Sequence, residues 1–155
     1  MDCDMIFRSL FGDEKKPTEI AEKFTKEVKV SIKAGVEETS FWFDARSIDH
    51  PEIFIEVEAS FVAGAAYNIL KAYHAFSQES DPRDKSGPIE KMHLKMLLMP
   101  SLKQERTLLD DLVKIVNENS NGRLFCELED VACDVKDEKD VRTKLEERLL
   151  GIANK

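Results

Sequence analysis

The sequence predicts a mainly α fold, a helical bundle of five to six helices in one globular domain over residues 1–155. Three observations predict it. An apolar stripe at helical spacing runs through residues 50–78, helix-start signals stand at Asp49, Ser101 and Asp137, and the last segment is amphipathic. A chain of 155 residues has the ordinary size of one domain and can bury a core without disulfides or a structural metal.

Residues 1–16 read as a short N-terminal helix or a flexible arm. Pro17 and Thr18 then open a helix, because proline's missing N–H is unpaired in a first turn anyway. Ile20, Phe24, Val28 and Ile32 follow at four-residue spacing, and Gly35 supplies a stop. Val28, Val30, Ile32 and Ala34 also alternate, as a strand requires. Ser40-Phe41-Trp42-Phe43 and Ile53-Phe54-Ile55-Glu56-Val57 have strand-like composition. The alternative fold is therefore α+β, with a small antiparallel meander over residues 28–58.

The next boundary favours helix. Asp49 and Glu52 have capping-box spacing, Ile48 and Ile53 can clasp as a staple, and Pro51 suits a first turn. Phe54, Phe61, Val62, Ala65, Ile69, Ala72, Tyr73 and Phe76 then form one stripe, which predicts a central helix ending near Gln78. Ala63-Gly64-Ala65-Ala66 leaves a small-residue patch for another helix. Residues 79–87 are polar, with Pro82 and Gly87, and read as an exposed loop. Pro88 begins a short helix whose Ile89, Met92, Leu94, Met96, Leu97, Leu98 and Met99 surround it with apolar groups.

Pro100 interrupts that helix, and Ser101 with Gln104 restarts one carrying Leu102, Leu109, Leu112, Val113 and Val116. Asn119-Ser120-Asn121-Gly122 ends it. Leu124, Leu128, Val131 and Val135 suggest a further short helix, although Leu124-Cys126-Leu128 alternates. Asp137 caps the last one, which aligns Val141, Leu145, Leu149 and Ile152 and pairs Glu138 with Arg142 and Asp140 with Lys144.

Hydrophobic residues make up 42% and charged residues 35% of the chain, a mixture that suits a folded domain rather than a disordered one. The formal net charge of −8, with no run of Lys and Arg free of acids, argues against nucleic acid as a partner. Three cysteines make no disulfide framework. With no leader-like segment and no apolar run long enough to cross a bilayer, they point to the cytoplasm and to no integral membrane segment.

Phosphate-cradling loops, dinucleotide fingerprints, paired CxxC, HExxH and GxSxG are all absent, and no cofactor is expected. Glu90-x-x-His93 has the spacing that puts both side chains on one helix face, as in di-iron bundles, but occurs once. Glu58 falls on the central stripe between Phe54 and Val62, where a carboxylate needs a partner or a raised pKa. Glu58, Glu90 and His93 are thus the candidate metal ligands of a helical-bundle metal-binding protein or enzyme. Cys126 and Cys133 are expected to be small buried hydrophobes.

The other reading is a non-catalytic interaction module, an adaptor, chaperone-like or inhibitory partner that binds a protein or a second copy of itself. Its candidate contact residues are the soft side chains Met92, Met96 and Met99 and the aromatic cluster Phe41, Trp42 and Phe43. The absent catalytic signatures favour this reading over an enzyme.

Overall fold

Val28, Val30 and Ile32 do alternate as a strand, and the computed structural model of the chain builds a sheet on them. It describes residues 3–34, 37–59, 62–77, 81–100 and 106–155. The elements in order are α1 (Cys3–Ser9), α2 (Glu19–Lys23), β1 (Phe24–Ala34), β2 (Glu37–Ser47), β3 (Ile53–Glu58), α3 (Val62–Ser77), β4 (Asp81–Asp84), β5 (Gly87–Pro88), β6 (Met92–Leu98), α4 (Arg106–Glu118), β7 (Leu124–Asp130) and α5 (Glu138–Ala153). The seven strands form one sheet in the order β5-β4-β1-β2-β3-β6-β7. Strands β5 through β3 are antiparallel to their neighbours, whereas β3, β6 and β7 run parallel. The fold is mixed α/β, and the mainly α bundle is overturned.

Helices cover both faces. Ala65, Ile69, Ala72 and Phe76 of α3 and Leu109 and Val116 of α4 pack on Val30, Phe43, Phe54, Leu94, Met96 and Leu98. On the other face, Ile6 and Phe7 of α1, Ile20 of α2 and Val141, Leu145, Leu149 and Ile152 of α5 pack on Ala45, Ile55, Val57 and Leu97.

Each helix expectation that became a strand has a physical reason. The helix from Thr18 survives only as α2, capped where the Thr18 hydroxyl accepts the Ala21 N–H at 3.4 Å. β-branched alternation then wins from Phe24 onward. The long rod over residues 50–78 is two elements. Asp49, Pro51 and Glu52 belong to a turn closed by the Ile53 N–H on the His50 carbonyl at 2.9 Å, because turns and helix starts favour the same residues. Ile53-Phe54-Ile55-Glu56-Val57 follows as β3, and the helix begins only at Val62.

Of the predicted helix over residues 88–99, Met92–Leu98 is β6 and Pro88 belongs to β5. The all-round apolar character of β6 arises because an inner parallel strand is buried on both faces. The predicted loop supplies β4 and β5 at the far edge of the sheet, with residues 78–80 outside the described set. The Ser101–Gln104 cap also lies outside the described residues. Leu124-Cys126-Leu128 is the strand β7 that its alternation suggests, not a helix. α4 lies within its predicted region, and α5 is capped by Asp137 as predicted, with the Glu138–Arg142 pair at 3.7 Å.

The β1–β2 hairpin changes faces partway along. Phe24 and Val28 have the same parity, yet Phe24 packs with the α1, α2 and α5 cluster and Val28 with the α3 and α4 cluster. Phe43 and Ala45 divide in the same way across from them. The swap falls at Glu27, whose φ of 53° is left-handed, between the register pairs Lys26↔Ala45 and Val28↔Phe43. Both sheet edges are poorly suited to pairing. β5 has two residues, one of them Pro88, and β7 carries Glu127, Glu129 and Asp130.

No described helix is long and apolar enough to cross a membrane. Met96 is 0% exposed between β3 and β7. Met96→Ala is expected to lower unfolding free energy in urea by about 2–5 kcal/mol through the cavity it leaves. A change of solution mass at unchanged stability would contradict this placement.

Candidate functional site

Strands β2 and β3 pair only at Ala45↔Ile55 and Arg46↔Phe54. Beyond that point β2 continues with β1 as far as Glu37, while β3 continues with β6 as far as Glu58. The two strands fork, and backbone groups that a ladder would have paired need other partners. The Val57 N–H donates to Asp44 Oδ2 at 2.8 Å. Lys71 Nζ, reaching in from α3, donates to the Trp42 carbonyl at 2.5 Å and lies 4.6 Å from the centre of the Phe43 ring. Asp44 and Lys71 thus close the fork from its two sides.

Glu56 and Glu58 project into the same place from β3. Glu56 is 4% exposed, and its Oε1 lies 3.3 Å from Lys71 Nζ. Glu58, half-buried at the end of the strand, accepts a hydrogen bond from the Asn68 side-chain amide. Gly64 lets this carboxylate lie against α3, since a Cβ there would stand 3.0 Å from Glu58 Oε2. The small-residue patch of α3 therefore receives a carboxylate at Gly64.

Burial and mutual repulsion dominate the electrostatics. Glu56 is pushed up to about 8, first by burial and then by Asp44, against the pull of Lys71. Glu58 is raised to about 7 by burial, by Asp44 and by Asp4 of α1. Asp44 is raised by burial, partly offset by the Val57 N–H. Three carboxylates share one ammonium, beyond what closing the fork demands. The cluster lies where β3, β6 and β7 direct their C-terminal ends, the side on which α/β sheets place ligands.

The structure separates the three metal candidates. Glu58 is at the fork. His93 pairs with Ile53 at the opposite end of the β3–β6 register, its Nε2 3.1 Å from Glu127 and its ring 4.9 Å from that of Phe125. Glu90 is exposed in the segment before β6. Among the described residues, no three His, Cys, Asp or Glu side chains are placed to hold a metal ion together.

Of the contact candidates, Phe43, Met92, Met96 and Met99 lie in the core. Phe41 is half-buried with its ring edge-on to His74, and Trp42 is 57% exposed. Cys3 and Cys126 are buried and Cys133 is half-buried; burial pushes the Cys126 thiol up to about 12.

Glu56, Asn68 and Lys71 are functional candidates that reading residues 50–78 as one helix missed, and Asp44 of β2 is a fourth from outside that segment. Two signals were present: an acidic pair at strand spacing, Glu56-x-Glu58, closing an apolar run, and a lysine adjoining the stripe of Ile69 and Ala72. Searches against known protein families, curated proteins and solved structures find no match to the chain.

Raised carboxylate pKa values make the folded state bind protons more tightly than the unfolded state. Stability therefore falls as pH rises from the ordinary glutamate value of 4.5 towards about 8. Thermal melts at pH 5 and pH 8 are expected to show a higher midpoint at pH 5. Glu56→Gln, which cannot ionise, is expected to shrink that difference; an unchanged difference would place the pH dependence elsewhere.

Proposed function

We propose that the fork is the working site of an enzyme that hydrolyses phosphate esters with the help of a divalent cation. The observation that carries this reading is the pair of carboxylates, Glu56 and Glu58, held beside Asp44 and Lys71 although the fork closes without them. Groups that cost stability and carry strongly shifted pKa values concentrate where chemistry is done. Magnesium-class cations take one or two protein carboxylates and complete their shell with water and substrate oxygens. Asp44 and Glu58 would supply two such carboxylates, fewer than the three-ligand grouping that is absent among the described residues, with Glu58 giving up its bond to Asn68 and water and substrate oxygens completing the shell.

Such a cation polarises an ester and lowers the pKa of a bound water. Glu56, raised to about 8, would serve as the base for such a water in the alkaline range where it is ionised. Lys71, a compact ammonium on a flexible stem, can turn from Glu56 to a developing negative charge. Isothermal titration with manganese chloride is expected to show binding that Asp44→Asn and Glu58→Gln weaken at least tenfold. Turnover of bis(p-nitrophenyl) phosphate is expected to be lost in Glu56→Gln and Lys71→Met. A folded protein that neither binds manganese nor hydrolyses the ester would remove this reading.

One observation favours a second reading, an interaction module formed by two copies of the chain. Tyr67 and Leu70 on α3 and Leu108 and Ile115 on α4 are exposed, and the two helices pack side by side. Exposed apolar groups gathered on one helical layer suit association with a like surface. Light scattering is expected to report a dimer that Ile115→Asp converts to a folded monomer. A wild-type monomer at tens of micromolar would exclude this reading.

A further inference from the structure

The sheet is covered unevenly. On the face opposite α3, helices α1, α2 and α5 pack against the lower ends of β1 and β2 and against β3 and β6. Outside that cover an open groove of about 1170 Å³ runs along β1 and β4, lined from β2 by Glu38, Trp42 and Arg46 and from the turn after it by Ile48 and Pro51. Its central feature is Trp42, 57% exposed and directly opposite Lys29 in the β1–β2 register. One row along, Ser40 and Ser31 face each other with their hydroxyls 3.3 Å apart, and Ser31 pairs in turn with Arg83 of β4. Lys85, just past the end of β4, and Lys26 also line the groove.

Ion pairing separates the cations of the groove from its acids. Arg83 is held by Asp81 at 2.8 Å, Arg46 pairs with Asp84, and Glu27 is engaged by Arg8 at 3.4 Å. Lys26, Lys29 and Lys85 enter no ion pair with the described residues, and Glu38 is the one lining acid in the same position. A chain of net charge −8 thus gathers unneutralised positive charge around its single tryptophan. Whole-chain charge is a poor guide at this scale, because charges more than about 8 Å away are largely screened at physiological salt.

We propose that this groove binds a short stretch of single-stranded nucleic acid, with a base stacked on Trp42 and neighbouring phosphates on Lys29 and Lys85. Adjacent strands stand about 4.8 Å apart, so Trp42 on β2 and Lys29 on β1 are neighbours across one ladder, and Lys85 joins them from the turn after β4. A nucleotide strand alternates a flat ring with a charged phosphate and can use both kinds of group. An acidic peptide satisfies the lysines and can lay an apolar side chain on the indole, but it lacks the regular alternation of flat ring and charge. Stacking on aromatic side chains in a positively charged groove is the general chemistry of sequence-tolerant single-strand binding. The inference is independent of the fork, whose side chains it does not use.

Trp42 is its own reporter, being the only tryptophan in the chain. Titration with short oligothymidylate and oligouridylate, without divalent cations, is expected to quench tryptophan emission and raise the anisotropy of a labelled oligonucleotide. Trp42→Ala, at an exposed position, is expected to weaken anisotropy-detected binding about tenfold or more. The Lys29→Glu, Lys85→Glu double variant is expected to weaken binding and flatten its salt dependence. Glu56→Gln is expected to bind as the wild type does, so failure here leaves the fork reading standing. Absence of quenching, unchanged affinity in Trp42→Ala, or equal quenching by poly-glutamate would each overturn the proposal, the last in favour of an acidic protein partner.

Discussion

Much of this structure follows from one requirement: where β2 leaves β3, the backbone N–H and C=O groups that lose their ladder partners must find others. A buried peptide group left unpaired costs as much as a lost hydrogen bond or more. The chain answers with Asp44 on the Val57 N–H and Lys71 on the Trp42 carbonyl. Those two choices bring opposite charges into a half-buried wedge and fix α3 against the curled hairpin. They also create the only kind of environment in which a further carboxylate, Glu56, can be buried beside a cation. The left-handed backbone at Glu27 is the counterpart on β1, since it turns the upper hairpin so that Val28, Val30 and Ile32 meet α3.

The fork and the open groove are consequences of the same bend. Once the upper hairpin swings away from β3, one of its faces closes over α3 and the other has no helix to meet. Trp42 stands at the junction: its carbonyl belongs to the fork and its indole to the groove. A single strand position thereby links two surfaces of quite different chemistry, one acidic and largely enclosed, the other open and locally basic.

The sequence made the helical ends of this fold legible and hid its centre. Asp137 and the spacing of Val141, Leu145, Leu149 and Ile152 identify α5 because that helix lies on the surface and keeps a polar side. β6 keeps none. Buried on both faces, Met92-His93-Leu94-Lys95-Met96-Leu97-Leu98 reads equally well as a buried helix, and periodicity alone cannot separate the two. At β3 the capping residues Asp49 and Glu52 gave a false start, because the turn into a strand uses the same short polar side chains. Glu58 stood out as a carboxylate in apolar company, but its partners Asp44, Asn68 and Lys71 come from elsewhere in the chain. Only the register of β2 against β3 and the packing of α3 bring them together.

The rims of the sheet bear on how the molecule behaves in a crowd. Proline in a two-residue strand offers an approaching chain almost nothing to bond with, and the acids of β7 repel a second copy that approaches strand to strand. Growth into fibres by adding strand upon strand is disfavoured at those two end strands. The stretches of β1 and β2 that β4 and β3 do not reach keep their backbone groups open to other partners.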